Sequence, residues 1–435
     1  MALKYFSPAT NPQFQDSFSK MYPEFNKAGE GVVVKNITFV TTEDCNLNCS
    51  YCYECSKTKG KMSVETAKAA IDMLFDKEKM NGYVTDYNVC AIIEFIGGEP
   101  LMNMDVIEFV CEYFLYKAYE MNHPWYKYHM FSITTNGVLF RTPRVQNWLR
   151  KYKNRLSVSI TIDGDKELHD SCRVFHNGKG SYDVVSASVK DAIENFGLTS
   201  TKVTIAPENL TKINTAIPHL FEMGLRDISA NCVYENVWKD EHAPIFFREL
   251  ISLADYILDN KIYKQGYISF FDQSIGQPMN PEDNNNWCGG DGQMLAIGID
   301  GRFFPCIRYM KYALNGQEEQ PIGDIKKGLE TKTENIFLQK LDKLTRRSQS
   351  TDECFNCSVG TGCSWCTAYN YAEFGTPNKR ATYICKMHKA RVLANYYYWN
   401  KLFKLENITD EKFELHLNEK DIEFITGGDR NVLQL

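Results

Sequence analysis

Apolar and polar positions alternate in blocks between residues 35 and 234, short β-rich runs trading places with helix-length segments. VVVKNITFV ends just before a cluster of cysteines, and a helix opened by Ser63 follows. AIIEFI (91–96), apolar except for Glu94, runs into a Gly-Gly turn and then a helix from about Asp105. MFSITT (130–135), a helix near 143–152 and LSVSITI (156–162) continue the pattern. A helix at 182–195, KVTIA (202–206), a helix at 211–223 and DISANCV (227–233) complete six strand–helix steps. Runs this apolar, separated by helices, predict a parallel β/α core covered on both faces. Six steps fall short of the eight of a closed barrel, leaving a partial (β/α)6 barrel of TIM type and an open doubly wound sheet as the two architectures. In both, ligands gather just beyond the strand C-termini.

After residue 240 the pattern changes. Residues 241–280 read as helical and then irregular, and NPEDNNNW (280–287) has the composition of a linker. From 288 to 390 the chain is rich in cysteine, glycine and turns, and such a segment needs a metal to hold it. The expected organisation is an N-terminal extension (1–34), the β/α core (35–240), a bridging region (241–287), the cysteine-rich region (288–390), and a C-terminal helix through YYYW with a polar tail (391–435).

Composition narrows the class. Hydrophobic residues at 43% and charged residues at 24% belong to a globular chain. A formal net charge of −6 argues against nucleic-acid binding. No apolar run approaches the ~18 residues of a membrane helix. The first residues lack the pattern of a signal peptide, so the cytoplasm is the expected compartment. Against that background the 15 cysteines point to metal rather than disulfides. Cys90, Cys111, Cys172 and Cys232 are scattered and read as small buried hydrophobes.

Cys45, Cys49 and Cys52 form C-x3-C-x2-C in the loop after the first strand. Three thiolates can hold three irons of a cubane and leave the fourth open to a ligand. A structural zinc site completed by Cys55 is the competing reading, although zinc sites usually pair C-x2-C units. The C-x3-C-x2-C spacing, with aromatic Tyr51 before its last cysteine, resembles the radical S-adenosylmethionine (SAM) signature. The resemblance implies a 4Fe–4S cluster whose open iron chelates SAM, and a 5′-deoxyadenosyl radical that takes hydrogen from unactivated carbon. Gly97-Gly98-Glu99-Pro100 is similar to the family's GGEP motif, which meets the methionine amino group. Asn136 and Thr161 close the third and fourth strands where that family contacts SAM. Arg173, in HDSCR, resembles the arginine that binds the SAM carboxylate, a task suited to a guanidinium. His169 and His176 read as local turn residues.

The later cysteines run Cys288, Cys306, Cys354-x2-Cys357-x5-Cys363-x2-Cys366, then Cys385. Their order resembles a SPASM domain, which implies two auxiliary 4Fe–4S clusters and three clusters in all. A zinc ribbon from Cys354, Cys357, Cys363 and Cys366 is the alternative, and it leaves Cys288, Cys306 and Cys385 unexplained. By the family's interleaving, Cys354, Cys357, Cys363 and Cys385 would bind the outer cluster, and Cys288, Cys306 and Cys366 the inner one. Two departures stand out. The last spacing is x2 where the family usually has x3, and no cysteine lies between 289 and 305 to complete the inner set. The inner cluster is then either open to a substrate thiolate or filled by Asp291 or a scattered cysteine. Arg308 and Tyr309, just after Cys306, would face the space between clusters and are the candidate catalytic groups. Ile307 stands where the sulfatase-maturing branch is expected to carry an aspartate, which lowers that reading.

The resemblance therefore implies a maturase of a ribosomally made precursor peptide, with thioether formation as the favoured reaction. Carbon–carbon crosslinking or epimerisation is the alternative within the class. Outside it stand an iron–sulfur electron-transfer protein and a zinc-stabilised interaction module. An electron donor of flavodoxin or ferredoxin type is implied. The roughly 34 residues before the first strand are too few for a leader-binding domain of ~80 residues, so a separate leader-binding protein, the barrel surface or residues 391–435 would serve.

Overall fold

The computed structural model describes residues 34–83, 90–286, 288, 290, 294–429 and 433. The expected N-terminal extension, apart from Val34, and Asp291 lie outside these residues.

Six parallel strands carry the core: β1 (Val34–Thr42), β2 (Cys90–Gly97), β3 (His129–Thr135), β4 (Leu156–Ile160), β5 (Ser200–Ile205) and β6 (Asp227–Cys232). Helices α1 (Val64–Leu74), α2 (Met104–Glu120), α3 (Pro143–Tyr152), α4 (Lys166–Cys172), α5 (Tyr182–Phe196), α6 (Ile213–Glu222) and α7 (His242–Asp259) cover the outside. Local chemistry sets their ends. The Ser63 side chain accepts from the Thr66 amide to start α1, Pro143 opens α3, and Gly197 at φ +66° stops α5.

Alternation along β1 sends Ile37 and Phe39 into the helix-covered core and turns Asn36 and Thr38 the other way, where Thr38 Oγ1 donates to Glu94 on β2. Side chains from β2 through β6 line one cavity (Ile96, Thr134, Lys202, Thr204 and Asn231, with Thr161 beyond β4). A flat open sheet cannot gather residues from its two ends around one space, so the wall is curved. The architecture is a partial α/β barrel with a cysteine-rich C-terminal region.

Two features extend it. β4 and β5 belong to separate hydrogen-bonded sheets, and Thr201 bridges them: its Oγ1 donates to the Ile160 carbonyl (2.8 Å) and accepts from the Ile162 amide (3.3 Å). Beyond β6, β7 (Tyr267–Ile268) pairs parallel with it. On the opposite side, β8 (Met294–Ile297) pairs parallel with β1, and β9 (Arg302–Phe304), β10 (Gly323–Asp324) and β11 (Gly328–Leu329) follow antiparallel. The cysteine-rich region is thus continuous with the barrel sheet. The division expected at 390/391 falls inside a single helix, α8 (Cys385–Leu405). Its apolar face packs on α7, where Tyr397 donates to Asp255 (2.7 Å). Among the described residues no helix is long and apolar enough to cross a membrane.

Candidate active site

The three-cysteine loop leaves β1 at Thr42 and is laced to the segment after α4. The Asn48 amide donates to the Val174 carbonyl (2.7 Å) and the Ser50 amide to the Cys172 carbonyl (3.0 Å). Leu47 bridges Phe175, and His176 Nε2 bonds the Cys45 carbonyl (2.8 Å). His169 Nε2 meets Ser181 Oγ (2.9 Å), so both histidines hold turns. The same lacing fixes Arg173 beside the loop.

Gly97 and Gly98 let the end of β2 cross this loop. A Cβ on Gly98 would stand 2.3 Å from the Asp44 carbonyl oxygen, while the Glu99 amide donates to that carbonyl at 2.9 Å. Glu99 is fully buried and accepts from Thr135 Oγ1 (2.6 Å), the Asn136 amide (2.8 Å) and the Leu101 amide (3.2 Å). Burial raises its carboxyl pKa, and these donors oppose the rise. Asn136 Nδ2 reaches Asn46 Oδ1 (2.7 Å) and lies 3.8 Å from Cys45 Sγ. The Tyr51 hydroxyl donates to Asp163, and Arg173 Nη1 donates to the Tyr51 oxygen (2.9 Å). Arg173 lines the cavity, and among the described residues its buried Nε has no hydrogen-bond partner.

That cavity, about 850 Å³, also reaches the C-terminal region. Cys45, Cys49 and Cys52 border it on one side, and Cys288, Cys306, Cys363 and Cys366 on the other. Burial raises the Cys306 thiol, and its neighbours Cys288 and Cys366 add to that. Cys363 feels burial first, then Arg380, Cys354 and Cys357, and Arg380 donates to its Sγ at 3.1 Å. Burial pushes Cys385 up to about 11, with Cys363, Cys357 and Cys354 acting in the same direction. Cys288, Cys306 and Cys366 thus act on one another electrostatically, as do Cys354, Cys357, Cys363 and Cys385. Among the described residues no three His, Cys, Asp or Glu side chains converge closely enough to hold a single ion. Cys55 is exposed, bonded to the Tyr312 carbonyl (3.2 Å), and does not line the cavity. Cys90, Cys111, Cys172 and Cys232 are buried away from it.

Thr161 and Arg308 line the cavity. Arg308 pairs with Glu235 (2.7 Å) and stands over the Tyr53 ring. Tyr309 does not face this space. Its ring packs against Phe337 and Tyr371 and its hydroxyl donates to Thr367 (3.0 Å), because a helical turn follows Cys306 and rotates the next side chains apart. Sequence reasoning missed Lys202, Glu235, Tyr53 and Glu54, all lining the cavity. Lys202 was readable as a polar interruption of an apolar strand, and Glu235 as an acid just past a strand end.

Residues 39–216 match the Radical SAM superfamily family model. This stretch of the chain is a radical SAM domain. Among its relatives, "Radical SAM cyclopropyl synthase TigE" of Paramaledivibacter caminithermalis is 26% identical over 357 residues, 78% of this chain and 69% of the relative. "Antilisterial bacteriocin subtilosin biosynthesis protein AlbA" of Bacillus subtilis is 27% identical over 285 residues, 63% of this chain and 55% of the relative. The chain thus spans between about half and two thirds of these relatives' lengths. In fold it is similar to native anSMEcpe with bound AdoMet and Cp18Cys peptide (TM-score 0.60, 18% identity, 86% of this chain and 99% of the other). It is also similar to Streptococcus suis SuiB bound to precursor peptide SuiA (TM-score 0.54, 15% identity, 86% and 79%).

Radical SAM membership implies one 4Fe–4S cluster and SAM, and the residues present fit both. Three thiols of one short loop border an open space and suit iron. Arg173 offers an unpaired donor to a carboxylate, and Glu99, with four acceptor positions and three donors, retains room for an ammonium.

Proposed function

We propose that this radical SAM enzyme modifies a ribosomally made precursor peptide and that its favoured product is a thioether between a cysteine sulfur and a carbon. The observation that carries the reading is the single cavity shared by the first cysteine loop and the inner group Cys288, Cys306 and Cys366. In this reading Cys45, Cys49 and Cys52 hold the first cluster. Glu99, Asn136, Thr161 and Arg173 receive SAM, with Tyr51 bracing Arg173. Cys354, Cys357, Cys363 and Cys385 hold an outer auxiliary cluster. The inner group has three cysteines among the described residues, which leaves a position for a substrate thiolate. When bound, cluster and SAM supply a 5′-deoxyadenosyl radical for hydrogen abstraction. The chain's own contribution is to orient SAM, to fix the peptide between the cysteine groups and to keep bulk water from the reacting carbon.

Relatives support a peptide substrate: AlbA is named for subtilosin biosynthesis, and the anSMEcpe and SuiB structures contain peptides. The alignment with a cyclopropyl synthase over 78% of this chain favours carbon–carbon bond formation as the second reading. A flavodoxin- or ferredoxin-type donor and a separate leader-binding protein complete the proposed system. The test is anaerobic reconstitution followed by counting iron, with dithionite and SAM added to a cysteine-containing precursor peptide. About twelve irons (three cubanes), 5′-deoxyadenosine, and a peptide lighter by two hydrogens per link support the thioether. Blocking of the peptide's thiols without loss of product favours the carbon–carbon reading. Zinc in place of iron ends both.

A further inference from the structure

The charged side chains around the cavity are nearly all accounted for. Lys57 stands 3.9 Å from Glu54, Arg308 pairs with Glu235 at 2.7 Å, and Glu99 is satisfied by three donors. Arg173 donates to Tyr51, which in turn donates to Asp163, and its Nε is left for SAM. Lys202 is left over. It rises from the middle of β5 into the cavity, on the wall between Arg173 and Arg308, deep among surrounding protein yet open to the cavity's space. Among the described residues its ammonium makes no hydrogen bond or ion pair.

The nearest carboxylates do not neutralise it. Glu94 faces Thr38 across β1 and β2 and takes its hydroxyl at 2.9 Å, and burial raises its carboxyl pKa. Asp163 is committed to Tyr51 and the Thr204 amide. Burial first, and then the Arg308 charge, hold the Lys202 ammonium below its usual range against the pull of Glu94 and Asp163. A cavity wall with an unmatched cation is a site waiting for an anion. SAM brings one carboxylate, to which Arg173 is already directed, together with two cationic centres.

We propose that Lys202 anchors a carboxylate of the substrate peptide, from an Asp or Glu side chain or the C-terminus, close to the residue that is modified. The inference rests on the proposed peptide-modifying function and adds the chemical class of the residue beside the reacting carbon. An ammonium on a four-carbon stem suits it, because it swings to meet a carboxylate whose position varies with the peptide.

The test uses the reconstituted, SAM-loaded, dithionite-reduced enzyme and measures 5′-deoxyadenosine against added short peptides. The probes are Ac-Gly-Asp-Gly-NH2 and Ac-Gly-Glu-Gly-NH2, their Asn and Gln counterparts, and Ac-Gly-Gly-Gly with a free C-terminus. The expected result is a saturable change in rate with a carboxylate peptide, at a half-saturating concentration about tenfold or more below that of the amide, the scale of a lost charge-assisted contact. Whether the side-chain acids or the free C-terminus act identifies the source. Lys202→Met abolishes the preference and Lys202→Arg retains most of it. Lys202→Gln is the second neutral variant if the methionine protein fails to take up iron. Equal or no response to acid and amide peptides overturns the inference alone. So does a Lys202→Met enzyme that keeps the preference, or one that without peptide loses the SAM-induced change in the cluster's EPR spectrum, which makes Lys202 a contact to SAM. Absence of 5′-deoxyadenosine from the unmodified enzyme overturns the peptide-modifying function and this inference together.

Discussion

Arg173 and Gly98 constrain the site in opposite ways, one by what it offers and the other by what it lacks. The proposed role of Arg173 predicts that Arg173→Met weakens SAM binding about ten- to a hundredfold, the worth of a charge-assisted contact of ~1.5–3 kcal/mol. Titrating SAM into the reduced enzyme and following the EPR spectrum measures this, and Arg173→Lys should recover only part of the loss. Gly98→Ala places its Cβ against backbone, 2.3 Å from the Asp44 oxygen and 2.6 Å from its carbon. Backbone cannot swing aside, so the expected cost is about 1–3 kcal/mol or more. It should be seen as a lower melting temperature together with less iron bound, because Asp44 leads directly into Cys45. Much of this half of the site was legible in the sequence, since the glycines, the acid and the first cysteine sit close to strand ends, and Arg173 falls in a recognisable run just past a helix. Tyr309 lies off the cavity for a local reason: a short helical turn after Cys306 rotates it into an aromatic cluster. Lys202 escaped notice because a lysine in a strand reads as an outward residue unless the barrel interior is known to be polar.

At the scale of elements, Thr201 stitches β4 to β5 where their backbone ladder is missing. Thr201→Val keeps the shape and removes both bonds, stranding the Ile160 carbonyl and the Ile162 amide. The expected loss is ~1–3 kcal/mol in chemical denaturation, with the fold retained. β3 carries a second test. His129 is buried, its Nδ1 bonded to the Trp125 carbonyl (2.9 Å), and burial first and then Arg155 lower its pKa from 6.5 to about 4. The unfolded chain then binds the proton more readily than the folded one. Its share of stability is complete above about pH 6.5 and drains away as pH falls toward 4, by up to about 3 kcal/mol. Denaturation midpoints at pH 7 and pH 4.5 should differ less in His129→Phe than in the unmodified protein. The six barrel strands and their helices were legible because each is a long periodic run. The strands of the C-terminal region were not: MLAI and RFF are too short for periodicity, and only their partners across space define them.

For the molecule as a whole, the cysteine groups and the barrel divide the work of stability unevenly. Cys354, Cys357 and Cys363 lie in irregular chain or a single turn of helix, whereas α8 is anchored along α7. With the proposed auxiliary clusters in place, removing iron with a chelator should therefore lower the melting temperature and open residues 351–384 to protease well before the barrel or the middle of α8 is cut. Protection patterns from limited proteolysis with mass spectrometry check this. The pairing of β8 with β1 has a further consequence. β1 delivers the chain to Cys45 at one end, and its edge supports the strand pair that leads to Cys306. Both cysteine groups stand on one footing, joined among the described residues by paired strands of a single sheet, so the gap they bracket behaves like the jaws of a locked calliper. A peptide then has to match that gauge by its own length and bend, and selectivity becomes a matter of measurement as much as of chemical recognition.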